Sequence, residues 1–327
     1  MVLRQRGYSR DRRPDCRQIV IGLAVDQQGL PIASEVFSGD TNDNLTVVPM
    51  LTRLKALDLT RAVWVTDRGM VSSENLASIQ SAGLSCIVGV RLRADEELRQ
   101  VIHEDATPYT QGPEGLMLKE VNWTGKRLVV CYSPASAERD LKLRTGAIER
   151  MKPVLKQVNQ GGYESLVTTH GLYRRLVIRH SDGKYYLDKN KLEREAQCDG
   201  TFVLEVSDNQ ITAREAAEGY KGLLRVEQAF RVLKNGVDIR PVYHRLDKRI
   251  RAHVTLCILA YFLERVVEIE TKQPFEQVRK QLMRLRAVEL KFDKQTAWET
   301  TALSAEVKQI FKDLKIPLPP RLLPMSR

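Results

Sequence analysis

The chain has 327 residues, 43% of them hydrophobic, which gives room for one large domain or two ordinary ones and excludes wholesale disorder. Lysine and arginine number 52 against 41 acids, a formal net charge of +11; this points to a polyanionic partner, nucleic acid ahead of an anionic membrane surface, although a plain basic soluble protein has the same balance. The five cysteines form no CxxC pair and no Cys/His cluster, which excludes a zinc ribbon and suits reduced, buried thiols in the cytosol.

The start, MVLRQRGYSRDRRPD, is polar and basic with no apolar core behind it, so no signal peptide is expected. Ile19–Val25 is a β-branched run, Gln27-Gln28-Gly29 a turn and Leu30–Phe37 a returning strand, together a hairpin. A helix is expected from about Val48 to Leu57, with Pro49 tolerated in its first turn. Ala62–Thr66 is a short apolar run typical of a buried strand, broken by Asp67-Arg68-Gly69. Ser72 or Ser73 caps a helix to about Ser81, Gly83 ends it, and LSCIVGV is another buried strand. The series is β-β-α-β-α-β, an α/β layer architecture.

From 95 to 204 the pattern changes. Gly115–Asn122 and Lys126–Tyr132 read as strands, Ser136–Met151 as a charged helix and SDGKYYLD as a hairpin, so a separate β-rich insertion is expected. TFVLEV at 201–206 returns to a buried strand. After a helix and a basic connection, Asp247–Ile269 forms a second long helix. Its apolar run, Val254–Leu263, is too short to span a bilayer, so it reads as a core helix and no membrane association is expected. The last stretch reads as a helical, charged tail with an extended PLPPRLLP near its end. The expected organisation is 1–94, a first α/β part; 95–204, the insertion; 205–270, a second α/β part; and 271–327, the tail.

The stretch around which the rest is arranged is Thr212–Lys234. Thr212 with Glu215 makes a capping box and marks a helix start. Tyr220, Leu223, Leu224, Glu227, Phe230 and Lys234 recur at three- and four-residue steps, which places them on one face. Turned toward a core, that face would bury Glu227 and require a compensating partner. A bland partner is Arg231, four residues on, or Arg225; a sharper one is a divalent metal held with a second acid. Asp67 is such an acid, at the C-terminal end of a strand, where open α/β sheets form their crevices. Its bland alternative is a turn Asp before Arg68-Gly69.

VWVTDRGM with Asp67, and the helix with Tyr220, Glu227 and Lys234 at seven-residue offsets, resemble the DDE-type insertion-sequence transposases. The branch resembled has a β-rich insertion and a Tyr-Arg-Glu-Lys signature. Leu223 stands where the signature has its Arg, and Arg225 is the nearby substitute. GYSRDRRPD, FSGDTNDN and RPVYHRLDKRIRAHVTLCILAYFLE resemble connections of the same branch, and the likeness covers most of 5–265.

The resemblance implies a ribonuclease H-like mixed sheet with flanking helices, interrupted by the β-rich insertion and followed by the helical tail. The parts 1–94 and 205–270 would form the catalytic core. It implies metal-dependent nicking of DNA at transposon ends and strand transfer by the freed 3′ hydroxyl. Asp67 and Glu227 would ligate two Mg2+ (or Mn2+) ions; Tyr220, Arg225, Arg231 and Lys234 would contact DNA. Partners would be double-stranded DNA, as transposon ends and target, and a second copy in a homodimer, in a bacterial cytoplasm and at the nucleoid.

The family's first catalytic Asp lies on a strand before the opening hairpin, and Asp11, Asp15 and Asp26 do not replace it. The expectation is an N-terminally truncated chain with impaired activity and a gap beside Ala62–Thr66. The alternatives are a non-catalytic DNA-binding remnant and a ribonuclease H-like nuclease.

Overall fold

The computed structural model describes residues 3–8, 13, 15–57, 63–66, 72–292 and 295–323. In chain order its elements begin with the hairpin β1 (Ile19–Val25) and β2 (Pro31–Ser38), then α1 (Val47–Lys55), β3 (Val63–Thr66), α2 (Ser73–Ser81) and β4 (Ser85–Val90). There follow α3 (Glu96–Glu104), β5 (Thr110–Gln111), β6 (Met117–Trp123), β7 (Lys126–Tyr132) and the long α4 (Pro134–Asn159). Next come α5 (Ser165–Thr168), α6 (Tyr173–Leu176), β8 (Val177–Arg179), β9 (Tyr185–Leu187), α7 (Lys189–Ala196) and β10 (Thr201–Val206). The chain closes with α8 (Ala213–Lys221), α9 (Leu223–Asn235), α10 (Asp247–Thr271), α11 (Phe275–Leu282), β11 (Ala287–Phe292), β12 (Gln295–Thr300), α12 (Ala305–Asp313) and β13 (Leu322–Leu323). Helices and a mixed sheet interleave as the α/β reading requires.

The chain divides into two compact units, 42–223 and 1–41 with 224–327. In the first, six strands lie in the order β3-β4-β10-β7-β6-β5; only β3 and β4 are parallel. The parallel pair is joined through α2, whose start is fixed by Ser72 accepting a hydrogen bond from the Asn75 N–H. Among the described residues β3 has a neighbour on one side, and its Val63 is 44% exposed, so the run is less buried than its sequence implies. Behind the sheet α8 contributes Ala216 and Ala217 to a core with Ile87, Leu118, Val129 and Leu204. A second apolar cluster, with Met151, Leu155, Val167, Leu176 and Tyr185, ties α4 to the β8–β9 hairpin. So 95–204 holds strands of the main sheet and also a small helical body with its own core.

In the other unit the β1–β2 hairpin is a two-stranded sheet by itself. Asp26 shapes its turn: its carboxylate accepts the N–H groups of Gln28 and Leu30, each at 2.8 Å. Ile19, Ile21, Leu23 and Val25 face the core built by Ala229 and Leu233 of α9 with Ile250, Val254, Ile258 and Tyr261 of α10. The apolar run of α10 is only half in that core, because Leu256, Leu259 and Leu263 are exposed. Among the described residues no helix is long and apolar enough to cross a membrane.

The tail differs from a purely helical one. Beside α11 and α12 it carries a three-stranded sheet, β11-β12-β13. Alternation in AVELKF and QTAWET is the strand signal there, and it is short enough to be lost among the surrounding charges. The cysteines are free; Cys86, Cys131, Cys198 and Cys257 are buried as expected, and Cys16 is exposed. Burial pushes the Cys131 thiol up to about 12, which makes it inert.

Candidate functional site

Within the unit 42–223, the loop entering α8 is held from several sides. Arg127 grips Glu120 through two hydrogen bonds of 2.9 Å and donates to the carbonyls of Asp208 and Ile211 at 3.1 and 2.7 Å. Ser85 donates to Asp208 at 2.7 Å, and this hydrogen bond is the main reason the Asp208 carboxyl lies below its usual range. The capping box expected from sequence is formed: the Thr212 N–H donates to Glu215 at 2.8 Å and the Glu215 N–H to the Thr212 hydroxyl at 3.2 Å. The Thr212 N–H, and the Thr212 hydroxyl donating to the same carboxylate at 2.7 Å, lower the Glu215 carboxyl as well.

Tyr220, at the end of α8, is seated on the sheet. Its ring stacks on Phe202 with centroids 5.7 Å apart. The seat requires Gly89 in β4, because a Cβ there would overlap the Tyr220 hydroxyl and lie 3.0 Å from its Cζ. Sequence reasoning passed over Gly89; a lone glycine inside a strand pattern is the available signal of such a close approach. Tyr220 is thus neither plain helix surface nor a free side chain.

The helix expected over 212–234 is interrupted. α8 ends at Lys221 and α9 begins at Leu223. Gly219 and Gly222 are both weak helix formers, and the Gly222 N–H is shared between the carbonyls of Glu218 and Gly219, a locally tightened turn. Tyr220 and Glu227 therefore belong to different helices.

Within the other unit, α9 turns Ala229 and Leu233 into the core and leaves Leu224, Arg225, Glu227, Gln228 and Arg231 exposed, with Lys234 half-buried. Here the sequence reading of the face is corrected. Glu227 is not desolvated, because the face meeting the core is centred on Ala229, a residue whose small side chain carries little weight in a periodicity argument. No compensating partner is then required, and among the described residues Glu227 has none: neither Arg225 nor Arg231 pairs with it. Glu227, Arg231 and Lys234 still share a side of α9, since four and seven residues separate them from Glu227.

Asp67 lies outside the described residues, one position beyond β3. Thr66 before it is 3% exposed and pairs with Val88 of β4. Of the other acids considered, Asp26 is engaged in its hairpin turn, and Asp15 is gripped by Arg13 through bonds of 2.9 and 2.8 Å, which hold its carboxyl well below the usual range. Asp11 lies outside the described residues. Among the described residues no group of three or more His, Cys, Asp or Glu side chains gathers to hold a metal ion. The donor chemistry of Glu227, an exposed carboxylate with no ion-pair partner among the described residues, nonetheless suits a hard divalent ion.

A family model described as "Transposase DDE domain" matches residues 3–263, from before β1 into α10. No curated protein and no solved structure matches the chain.

Proposed function

The chain belongs to the transposase DDE-domain family and so acts in DNA transposition; we propose that it does so by divalent-metal-dependent strand cleavage and transfer at transposon ends. The family match over 3–263 is the observation that carries this reading. Its support on the molecule is the exposed Glu227, without a partner among the described residues, on a helix whose same side bears Arg231 and Lys234.

Asp67 and Glu227 would hold Mg2+ or Mn2+, and a pair of such ions would stabilise charge on the attacking and leaving oxygens. Arg225, Arg231 and Lys234 bind and orient the DNA through its phosphates, as cations on a rigid element do. Tyr220, with its ring fixed on Phe202, adds a hydroxyl to that set. A homodimer brings two ends together, and the protein works on the nucleoid in a bacterial cytoplasm.

The test uses the full chain, duplex DNA carrying the sequences that flank its own gene, and Mg2+ or Mn2+ against a chelator. Nicked and joined products that require the metal and vanish in Asp67→Asn are the expected result. Binding with no cleavage under either metal would replace this reading with a non-catalytic DNA-binding protein. Cutting without joining or preference for the ends would make it a nuclease.

A further inference from the structure

The connection from α9 into the first turn of α10 carries several cations that, among the described residues, pair with no carboxylate. From Asp238 to Arg251 there are five cations, Arg240, Arg245, Lys248, Arg249 and Arg251, against Asp238 and Asp247. Arg251 pairs with Glu35. Arg245, Lys248 and Arg249 are exposed, and among the described residues none of the three has a carboxylate partner. Among them stands Tyr243, 83% exposed.

This loop is not loose. The Ile239 N–H donates to the Leu233 carbonyl at 2.9 Å, and a His253 ring nitrogen lies 3.1 Å from the Ile239 carbonyl. Val242 packs against the core of its unit. The His244 ring meets His253 edge-on with centroids 5.7 Å apart, and Arg4 donates to the His244 carbonyl at 3.4 Å. Asp247 accepts the Leu3 N–H at 3.1 Å. Residues 239, 242, 244 and 247 are therefore pinned, and of the residues between them Tyr243 and Arg245 are exposed.

A single exposed tyrosine is ordinary and needs no explanation. An outward aromatic ring on a fixed loop, flanked by unpaired cations, is the arrangement that binds a nucleic-acid strand whose bases are open. The cations take phosphates, and the ring offers a flat face to a base. A duplex satisfies only the first half, because its base faces are already stacked on one another.

We propose that the Tyr243 loop binds single-stranded DNA, with Tyr243 stacking on an unpaired base and Arg245, Lys248 and Arg249 contacting the phosphates beside it. The inference takes from the proposed function only that the chain meets DNA, and it holds whether or not Glu227 is catalytic.

The experiment is fluorescence anisotropy of the full chain with a labelled single-stranded oligonucleotide and with the duplex of the same sequence, over a range of salt. Tyr243→Ala should weaken single-strand binding by about fivefold to 150-fold, the range that stacking one base on an aromatic ring gives. Duplex binding should change by less than about twofold, and Tyr243→Phe should keep both affinities. Arg245→Gln should lower the salt dependence on both substrates by about one unit of slope. An unchanged single-strand affinity in Tyr243→Ala, or an equal loss on both substrates, overturns the proposal and leaves the transposase reading standing. A wild-type chain that binds neither substrate overturns both.

Discussion

Lys119 and the Tyr243 loop each set a cation beside a tyrosine, and the fold treats the two in opposite ways. Lys119 in β6 is 5% exposed, and its ammonium donates to the carbonyls of Ile102 and Asp105 at 2.9 Å each and to the Asp105 carboxylate at 3.3 Å. The same ammonium lies 5.3 Å from the Tyr109 ring centre. Every donor it has is taken, so the charge serves the fold. Near Tyr243, Arg245, Lys248 and Arg249 are exposed and, among the described residues, have no carboxylate partner. The acids divide the same way: Glu120 is clasped by Arg127, which lowers its carboxyl, while Glu227 has no partner among the described residues. Lys119 and Glu120 are satisfied from within the fold, whereas Glu227 and the cations near Tyr243 are the charges that the proposed function assigns to metal and DNA.

The comparison is broken most severely by disturbing a satisfied charge. Lys119→Met keeps most of the side-chain volume but leaves two carbonyls without their donor and the Asp105 carboxylate with the Thr107 N–H alone. It should cost about 3 kcal/mol of stability, read from the shift of the urea midpoint. A variant as stable as the wild type would show that the buried ammonium is not structural. A smaller effect is expected where a close contact is overfilled. Gly89→Ala should cost about 1–3 kcal/mol by forcing Tyr220 off Phe202, and Tyr220→Phe in the same chain should restore part of it. No recovery in the double variant would remove the hydroxyl of Tyr220 from the account.

Much of this arrangement is local and could be read from the residues. The strand Ile19–Val25, the strand 201–206, the Ser72 cap and the Thr212–Glu215 box each depend on a few neighbours in sequence, and each appears where expected. What could not be read is set by distant partners. β10 lies between β4 and β7 through pairings across more than a hundred and about seventy residues, which no local pattern states. Which side of α9 is buried depends on Ile250 and Val254 of α10, so a stripe running through Leu224 and Glu227 misplaced the face, although Phe230 does pack against the core. The resemblance to transposases was still legible, because it rests on short words around the strand end and the helix.

The most direct measurement concerns Glu227, the open acid on which the proposed chemistry turns. Glu227→Gln keeps the shape of the side chain, and as an exposed change it should alter stability by less than about 0.5 kcal/mol. DNA affinity should stay within about twofold. Metal-dependent cleavage should fall by more than about a hundredfold, beyond what outer partners of a metal site contribute. A folded Glu227→Gln protein that cleaves and joins DNA at the wild-type rate would contradict the account.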